Sequence, residues 1–257
     1  MEVNLHTHTF RCGHAKGSDE DYVLGAIHVG LKKMGFSDHN PLPYEGDYVN
    51  HTKMLPEELP GYIDSIRLLK EKYAGQIEIL VGLECEWIPR FADYLSELRQ
   101  QLDYLLLGSH GDWSIGEPYM GKVNDPIWLP KYLENTVEGM ESGLFLYLAH
   151  PDLIFGRYPE FDSDAEYVSR ELCRAANRLG MPLEYNLWGV RKGRPEGALG
   201  YPCTEFWRIA AEENSVAVIG MDVHDPQAYS QLDMDGARDL LTEMGIRVLE
   251  DPTYCDL

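Results

Sequence analysis

The feature that most constrains the fold is a regular alternation between short apolar segments and longer segments with helical periodicity. Continuous apolar runs are typical of strands covered on both faces, and the predicted strands are Glu2–Leu5, Gly35–Asp38, Ile77–Leu83, Tyr104–Leu107, Leu144–Ala149, Pro182–Tyr185 and Val216–Ile219. Apolar residues recur with the period of an α-helix in Asp19–Met34, Glu57–Tyr73, Arg90–Gln101, Asp125–Ser142, Ser163–Leu179, Thr204–Asn214 and Met234–Met244. This alternation implies a parallel sheet with right-handed crossovers, and therefore an α/β fold.

The predicted elements form one domain that spans residues 1–257, because no repeat, low-complexity tract or linker divides the chain. An open, doubly wound sheet is one possible arrangement. A closed or nearly closed, TIM-like barrel is favoured because polar residues follow most of the predicted strands. In a barrel all strand ends meet at one face, whereas in an open sheet only those near the switch point meet.

Histidines and carboxylates cluster at the ends of the predicted strands. They are His6 and His8, Asp38 and His39, Glu84, His110, His150, and Asp222 with His224. Imidazole nitrogens and carboxylate oxygens are the ligands that borderline and hard divalent cations take. The sequence therefore predicts a metal site at the C-terminal ends of the strands, and one that holds more than one ion.

The spacing of the residues supports this prediction. His6 and His8 are two apart, so both imidazoles share one face of an extended segment. Asp222 and His224 have the same spacing, and the strands that precede the two pairs are neighbours in a closed barrel. Glu84 differs from the histidines because a carboxylate can bridge two cations.

Three further histidines are less informative. His14 lies in the first loop and is ambiguous by pattern alone, whereas His28 in a predicted helix and His51 in a polar loop are assigned no ligand role. Cys12 lies close enough to His14 for a thiolate ligand to be conceivable, but a small structural thiol is favoured.

Composition narrows the class of partner. The formal net charge is −21, so the chain repels nucleic acid phosphates over long range. The five cysteines include no CxxC pair, which disfavours a disulfide framework.

With neither a secretory signal nor an apolar run long enough for a membrane helix, we expect a cytoplasmic protein with no membrane partner, as a monomer or a small homo-oligomer.

Six motifs, in order and spacing, resemble those of the PHP family, which is named for polymerase and histidinol phosphatase. They are Leu5-His6-Thr7-His8-Thr9, Phe36-Ser37-Asp38-His39-Asn40, Gly82-Leu83-Glu84, Gly108-Ser109-His110, Ala149-His150-Pro151 and Asp222-Val223-His224-Asp225. Within the family, the chain is most similar to stand-alone histidinol-phosphate phosphatases. The resemblance implies a distorted (β/α)7 barrel.

The resemblance also implies two to three divalent ions. The first would be bound by His6, His8, Glu84 and Asp222, the second by Glu84, His110 and His150, and the third by His14, His39 and His224. Zinc, manganese and iron all suit such mixed nitrogen and oxygen sites, and the sequence does not choose among them. Asp38 is expected to orient His39 or a neighbouring ligand rather than to bind an ion.

The implied activity is hydrolysis of a small phosphate monoester, in the first place L-histidinol phosphate to L-histidinol in histidine biosynthesis. A hydroxide that bridges two ions, held by Glu84 with Asp222 and His224, would attack the phosphorus in line with the leaving alkoxide. Arg191, Arg157 and Tyr119 are the predicted substrate-binding residues, since guanidinium groups grip phosphate through paired hydrogen bonds.

Other functions stay open at this stage. A PHP phosphoesterase could act instead on a nucleotide, a phosphosugar or a phosphotyrosine, and a non-catalytic, metal-stabilised module is a further alternative. Hydrolysis of an amide or lactone is disfavoured because no lysine ends a predicted strand. The chain departs from the family at Gly111-Asp112-Trp113-Ser114 and at Met221, and the acids Glu45 and Asp47 could meet a cationic amine; these features bear on the substrate rather than on the metal chemistry.

Overall fold

The computed structural model describes residues 1–46 and 48–254, so Asp47 and Cys255 lie outside the described residues. Its strands are β1 Val3–Asn4, β2 Lys33–His39, β3 Glu78–Cys85, β4 Tyr104–Leu107, β5 Leu183–Asn186, β6 Val216–Gly220 and β7 Arg247–Val248. They form a four-stranded sheet, β1-β2-β3-β4, and a three-stranded sheet, β5-β6-β7. Every strand pairing within the two sheets is parallel, as predicted.

Isolated bridges connect the two sheets on both sides. Leu148 bridges Leu107 at the end of β4 and Leu183 at the start of β5, and Thr7 bridges Val223 beyond β1 and β6. The result is an α/β fold with a curled parallel sheet.

The predicted fifth strand, Leu144–Ala149, is not formed as a continuous strand. Its backbone is bonded to both neighbours, because Ala149 N donates to Leu107 O (2.9 Å) and Glu184 N donates to Leu148 O (2.9 Å). The bridges to β4 and β5 are limited to Leu148. A short strand that was not predicted, β7, instead extends the second sheet.

The helices agree with the predicted ones more closely in type than in length. They are α1 Asp19–His28, α2 Leu59–Lys72, α3 Ala92–Gln101, α4 Leu129–Glu141, α5 Ser163–Leu179, α6 Leu187–Lys192, α7 Thr204–Glu212 and α8 Met234–Glu243. The prediction for α5 is confirmed at both ends. α1 begins after Ser18, which forms a capping box with Asp21, but it ends well before the predicted Met34 because Gly30 turns the chain with φ 87°.

α6 lies where the sequence predicted a loop. The side chain of Asn186 accepts a hydrogen bond from Gly189 N at 2.9 Å and so caps the first turn. This short helix begins directly at the end of β5, so its side chains lie beside the ends of the strands.

Both faces of the sheet are covered. Leu105 and Leu107 belong to the large core between sheet and helices, whereas Tyr104 and Leu106 belong to a small inner cluster with Leu5, Tyr147, Val218 and Leu249. The phenol of Tyr104 donates to Leu5 O at 2.6 Å and to Phe36 O at 3.0 Å. The inner cluster thus fills the space enclosed by the curled sheet. No helix among the described residues has the length and apolar character needed to cross a membrane.

Candidate metal centre

The nine predicted ligands converge at one end of the curled sheet. His6 and His8 follow β1, His39 ends β2 and is in register with Glu84 of β3, and His110 follows β4. The remaining members are His14, His150, Asp222 and His224. Side chains that are far apart in the chain meet here because the parallel strands all end on the same side.

Glu84 lies at the centre of the group and its two oxygens face different histidines. Oε1 lies 2.6 Å from His150 Nε2 and 3.5 Å from His110 Nε2. Oε2 lies 3.0 Å from His39 Nδ1 and 3.6 Å from His6 Nε2. A carboxylate with this arrangement can bridge two cations.

The charge state of Glu84 follows from its surroundings. Burial would raise the pKa of its carboxyl group, but the charges of the nearby histidines, His110 and His6 first, hold that pKa well below its usual range. Gly108 provides the necessary room, because a Cβ at this position would lie 2.5 Å from Glu84 Oε1.

Asp222 lies close to both His6 and His8. Its Oδ1 lies 3.0 Å from His8 Nε2 and 3.6 Å from His6 Nε2, and these two nitrogens are 3.2 Å apart. Burial would raise the pKa of Asp222, but Coulombic attraction to His6 and His224, together with the close contact with His8, lowers it well below its usual range.

The outer part of the group is built from histidine rings. His14 Nε2 and His224 Nε2 are 3.1 Å apart, and the rings of His8 and His224 stack with centroids 4.0 Å apart. His8, His39 and His224 are close enough for one ligand atom each to share an ion, and so are Cys12, His14 and His224.

The donor atoms fit divalent cations. Within the described part of the chain, Glu84 Oε2, Asp222 Oδ1, His8 Nδ1 and His39 Nδ1 are buried and have no hydrogen-bond partner. Buried polar atoms without partners are costly, and metal coordination would satisfy most of them. Nitrogen and oxygen donors in this proportion suit zinc and its neighbours in the first transition row.

Sequence analysis missed several residues that hold the candidate ligands. Glu184 Oε1 lies 2.7 Å from His6 Nδ1, and Glu86 Oε1 lies 2.7 Å from His110 Nδ1. Lys53 is buried and pairs with the same Glu86. Glu184 carried a usable signal, since it is a carboxylate within an otherwise apolar strand.

The carboxylate of Asp38 accepts hydrogen bonds from two segments that carry candidate ligands. Its Oδ1 accepts a hydrogen bond from His39 N at 2.8 Å and lies 3.5 Å from His8 Nδ1. Its Oδ2 accepts a hydrogen bond from the hydroxyl of Thr9. The carboxylate therefore stabilises two segments that carry candidate ligands.

A cavity of about 480 Å³ opens above the candidate ligands. Tyr119 lines it, stacked on His110 at a centroid distance of 5.8 Å, and burial, followed by the charge of Asp222, raises the pKa of its phenol. The cations that line the cavity are Lys53, Lys122 and Lys192.

Neither Arg157 nor Arg191 is among the described residues that line this cavity. Arg191 packs over the ring of Trp188 at 4.8 Å and its Nε donates to Gln231 Oε1 at 3.1 Å. α6 places Trp188 and Lys192 at the cavity, whereas Arg191 lines a separate pocket.

Comparison with known proteins places the chain in a family. The sequence model of the PHP domain matches residues 4–186, more than half of the chain. The chain is 30% identical over 238 residues to the "Probable histidinol-phosphatase" of Deinococcus radiodurans, covering 86% of this chain and 85% of that protein. It is 26% identical to the "Probable histidinol-phosphatase" of Schizosaccharomyces pombe, covering 97% and 89%.

A solved structure shares the fold. It is histidinol phosphate phosphatase from Lactococcus lactis, complexed with zinc, L-histidinol and phosphate, which aligns with a TM-score of 0.72 at 17% identity over 96% of this chain and 95% of that one. At this identity the likeness shows the fold alone. Together, the matched domain and the relative that is 30% identical show that this chain belongs to the PHP family.

Proposed function

We propose that this chain is a metal-dependent phosphatase that hydrolyses L-histidinol phosphate to L-histidinol. The observation that carries the proposal is the convergence of the nine predicted ligands at one end of the sheet, where the two oxygens of Glu84 face different histidines. The names of the relatives from D. radiodurans and S. pombe support the substrate, and so does the L-histidinol bound by the L. lactis protein.

The ligands are proposed to bind two or three divalent ions. The sets are His6, His8, Glu84 and Asp222 for the first, Glu84, His110 and His150 for the second, and His14, His39 and His224 for the third. The short contacts of Asp222 with His8 and of Glu84 with His150 support the first two sets. Zinc is the favoured ion because the L. lactis protein binds it, and manganese and iron are the alternatives.

The fold that holds these ions is proposed to be a single domain, residues 1–257, built as the distorted (β/α)7 barrel of the family. The bridges at Leu148 and between Thr7 and Val223 support it, because they join the two sheets on both sides. The ligands would then occupy the C-terminal ends of the strands, as in other barrels of this type.

The ions, when bound, would neutralise the phosphate and supply hydroxide from water near neutral pH. The protein's part is positioning. Glu84 would hold the ions through its two carboxylate oxygens, and Asp222, whose Oδ1 lies 3.3 Å from His224 Nδ1, would do so together with that histidine. Lys122 and Lys192, which line the cavity, attract the anionic substrate. Tyr119, which keeps its proton, can donate a hydrogen bond to it.

A substrate comparison tests the proposal. The full chain, loaded in turn with zinc, manganese and iron(II), is assayed for phosphate release from L-histidinol phosphate, AMP, phosphotyrosine and p-nitrophenyl phosphate. The expected result is the highest kcat/KM for L-histidinol phosphate. A higher value for another monoester would replace the substrate, and no hydrolysis of any of them would favour a non-catalytic module.

A further inference from the structure

Glu184 is a buried carboxylate of β5 to which the proposed reaction assigns no role. Its side chain is completely buried. Oε1 lies 2.7 Å from His6 Nδ1. Oε2 accepts hydrogen bonds from His150 N at 3.1 Å and from Asn186 Nδ2 at 3.0 Å. Both oxygens are therefore engaged, and two of the three contacts are with residues that carry candidate ligands.

Asn186 extends this network to a third ligand. Its Nδ2 also donates to Asp222 Oδ2 at 3.1 Å, while its Oδ1 accepts from Gly189 N at 2.9 Å. Rotation of this amide would break all of these bonds at once. The other oxygen of Asp222 is left to face His8 Nε2 at 3.0 Å.

The backbone at two of these ligands needs such support. His150 has φ 30° and Asp222 has φ 50°, a region that residues with a side chain rarely adopt. Such conformations persist where surrounding contacts impose them, and they concentrate at functional sites. Glu184 holds the backbone N–H of His150 directly and holds Asp222 through Asn186.

The neighbouring strand is shaped around the same carboxylate. Gly220 of β6 is in register with Asn186, and a Cβ at Gly220 would lie 1.7 Å from Glu184 Oε1. Only glycine leaves the space that this carboxylate occupies. Two strands are thus built to place one charge beneath the candidate metal centre.

We propose that Glu184 is a positioning residue for the metal centre. It accepts the Nδ1–H of His6, which leaves Nε2 of that ring for an ion, and it holds His150 and, through Asn186, Asp222 in their ligand positions. The inference rests on the proposed function, because it takes these three residues as ligands. Carboxylates that orient metal-binding histidines in this way typically change metal affinity by about 10- to 100-fold.

The test compares Glu184→Gln with the parent chain. Both are stripped of metal and reloaded with zinc, zinc affinity is measured by competition with a chelator, and solvent exchange of the His6 Nδ1 proton is followed by NMR in the zinc-loaded protein. The expected result is zinc binding about 10- to 100-fold weaker and faster exchange of that proton, because a neutral amide accepts a hydrogen bond less strongly than a carboxylate does. Glu78→Gln, at the exposed start of β3, is the matched control and should change neither reading.

The possible failures are distinguishable. If the parent chain takes up no zinc, manganese or iron, the proposed function fails. If the parent chain binds zinc and Glu184→Gln matches it in affinity and in the exchange of the His6 Nδ1 proton, the role of Glu184 alone is overturned. If Glu184→Gln does not fold, Asn186→Ala decides, since it keeps the contact with His6 and cuts the link to Asp222: weaker zinc binding supports the network and unchanged binding overturns it.

Discussion

The candidate metal centre has two parts that differ in how their histidines are held. The deep part, His6, His110, His150 and Glu84, is buried, and its members His6 and His110 face carboxylates through Nδ1, each at 2.7 Å. The rim part consists of His14, His39 and His224. There Nδ1 of His14 contacts Cys12 O at 2.8 Å and Nδ1 of His224 contacts Asp222 O at 3.0 Å. Two of the three rings thus face backbone carbonyls, while Nδ1 of His39 faces Glu84 Oε2 at 3.0 Å.

Proton affinity differs in the same direction. Burial alone would lower the pKa of His6, but the charges of Glu184, Asp222 and Glu84 raise it to about 10. In the rim part, burial and the charge of His8 depress the pKa values of His39 and His224, whereas the pKa of His14, which burial would lower, is raised by contact with Cys12. The carboxylates around His6 therefore give the deep part an excess of negative charge that favours cations, and two of the three rim histidines lack such an excess. We therefore expect the deep part to bind its ions more tightly than the rim part.

The largest effect is expected for Glu84→Gln. The change removes the charge that faces both sides of the deep part, so we expect kcat/KM to fall by more than about 100-fold, the upper end of losses for residues that only orient ligands. Metal analysis of the dialysed protein should show loss of the deep ions. A variant that keeps its metal content and most of its activity would show that Glu84 does not bridge.

The second largest effect is expected when one candidate ligand is removed from each part in turn. His110→Ala should remove a deep ion and reduce kcat/KM strongly, whereas His14→Ala should remove only the ion of the rim part, with a smaller loss. Metal content per chain and kcat/KM are measured for both, together with stepwise chelation of the parent chain. The rim ion should leave first, and equal losses in the two variants would remove the distinction.

A smaller effect, on KM, is expected from replacing a lysine that lines the cavity. Lys192 lines the cavity whereas the adjacent Arg191 does not, so Lys192→Ala should raise KM for L-histidinol phosphate about tenfold, at the low end for a lost hydrogen bond to a charged group. Arg191→Ala is the matched control and should leave KM nearly unchanged. A raised KM in Arg191→Ala and an unchanged KM in Lys192→Ala would instead assign phosphate binding to Arg191.

The smallest effect is a pH dependence of stability without metal. The raised pKa of His6, about 10, lies above the value near 6.5 that is usual for an unfolded chain. Its stabilising contribution is therefore complete below about pH 6.5 and is lost as the pH rises towards 10. Calorimetry between pH 6 and 10 should show Tm of the metal-free protein falling by about 2–4 °C for each kcal/mol lost, while the zinc-loaded protein, in which an ion replaces the proton, falls less. Parallel profiles would contradict this.

Much of the site was predictable because the ligand types stand directly after the predicted strands. That His6, Glu84 and Asp222 lie close together could be predicted from position alone, since all parallel strands end on one side. Glu184 was missed because its role depends on a contact with a residue 178 positions away. The segment at Leu148 was predicted as a full strand because its apolar pattern does not record that bridge pairing to β4 and β5 is confined to one residue.

The sequence by itself determined the α/β class, the parallel order of the strands and the residues that gather at their ends, because these follow from local patterns and from a rule that holds for all parallel sheets. Only the tertiary structure decided which carboxylate backs which histidine and which cation faces the cavity. Both depend on side-chain direction, and in α6 the change from one residue to the next turns Arg191 away and Lys192 inward.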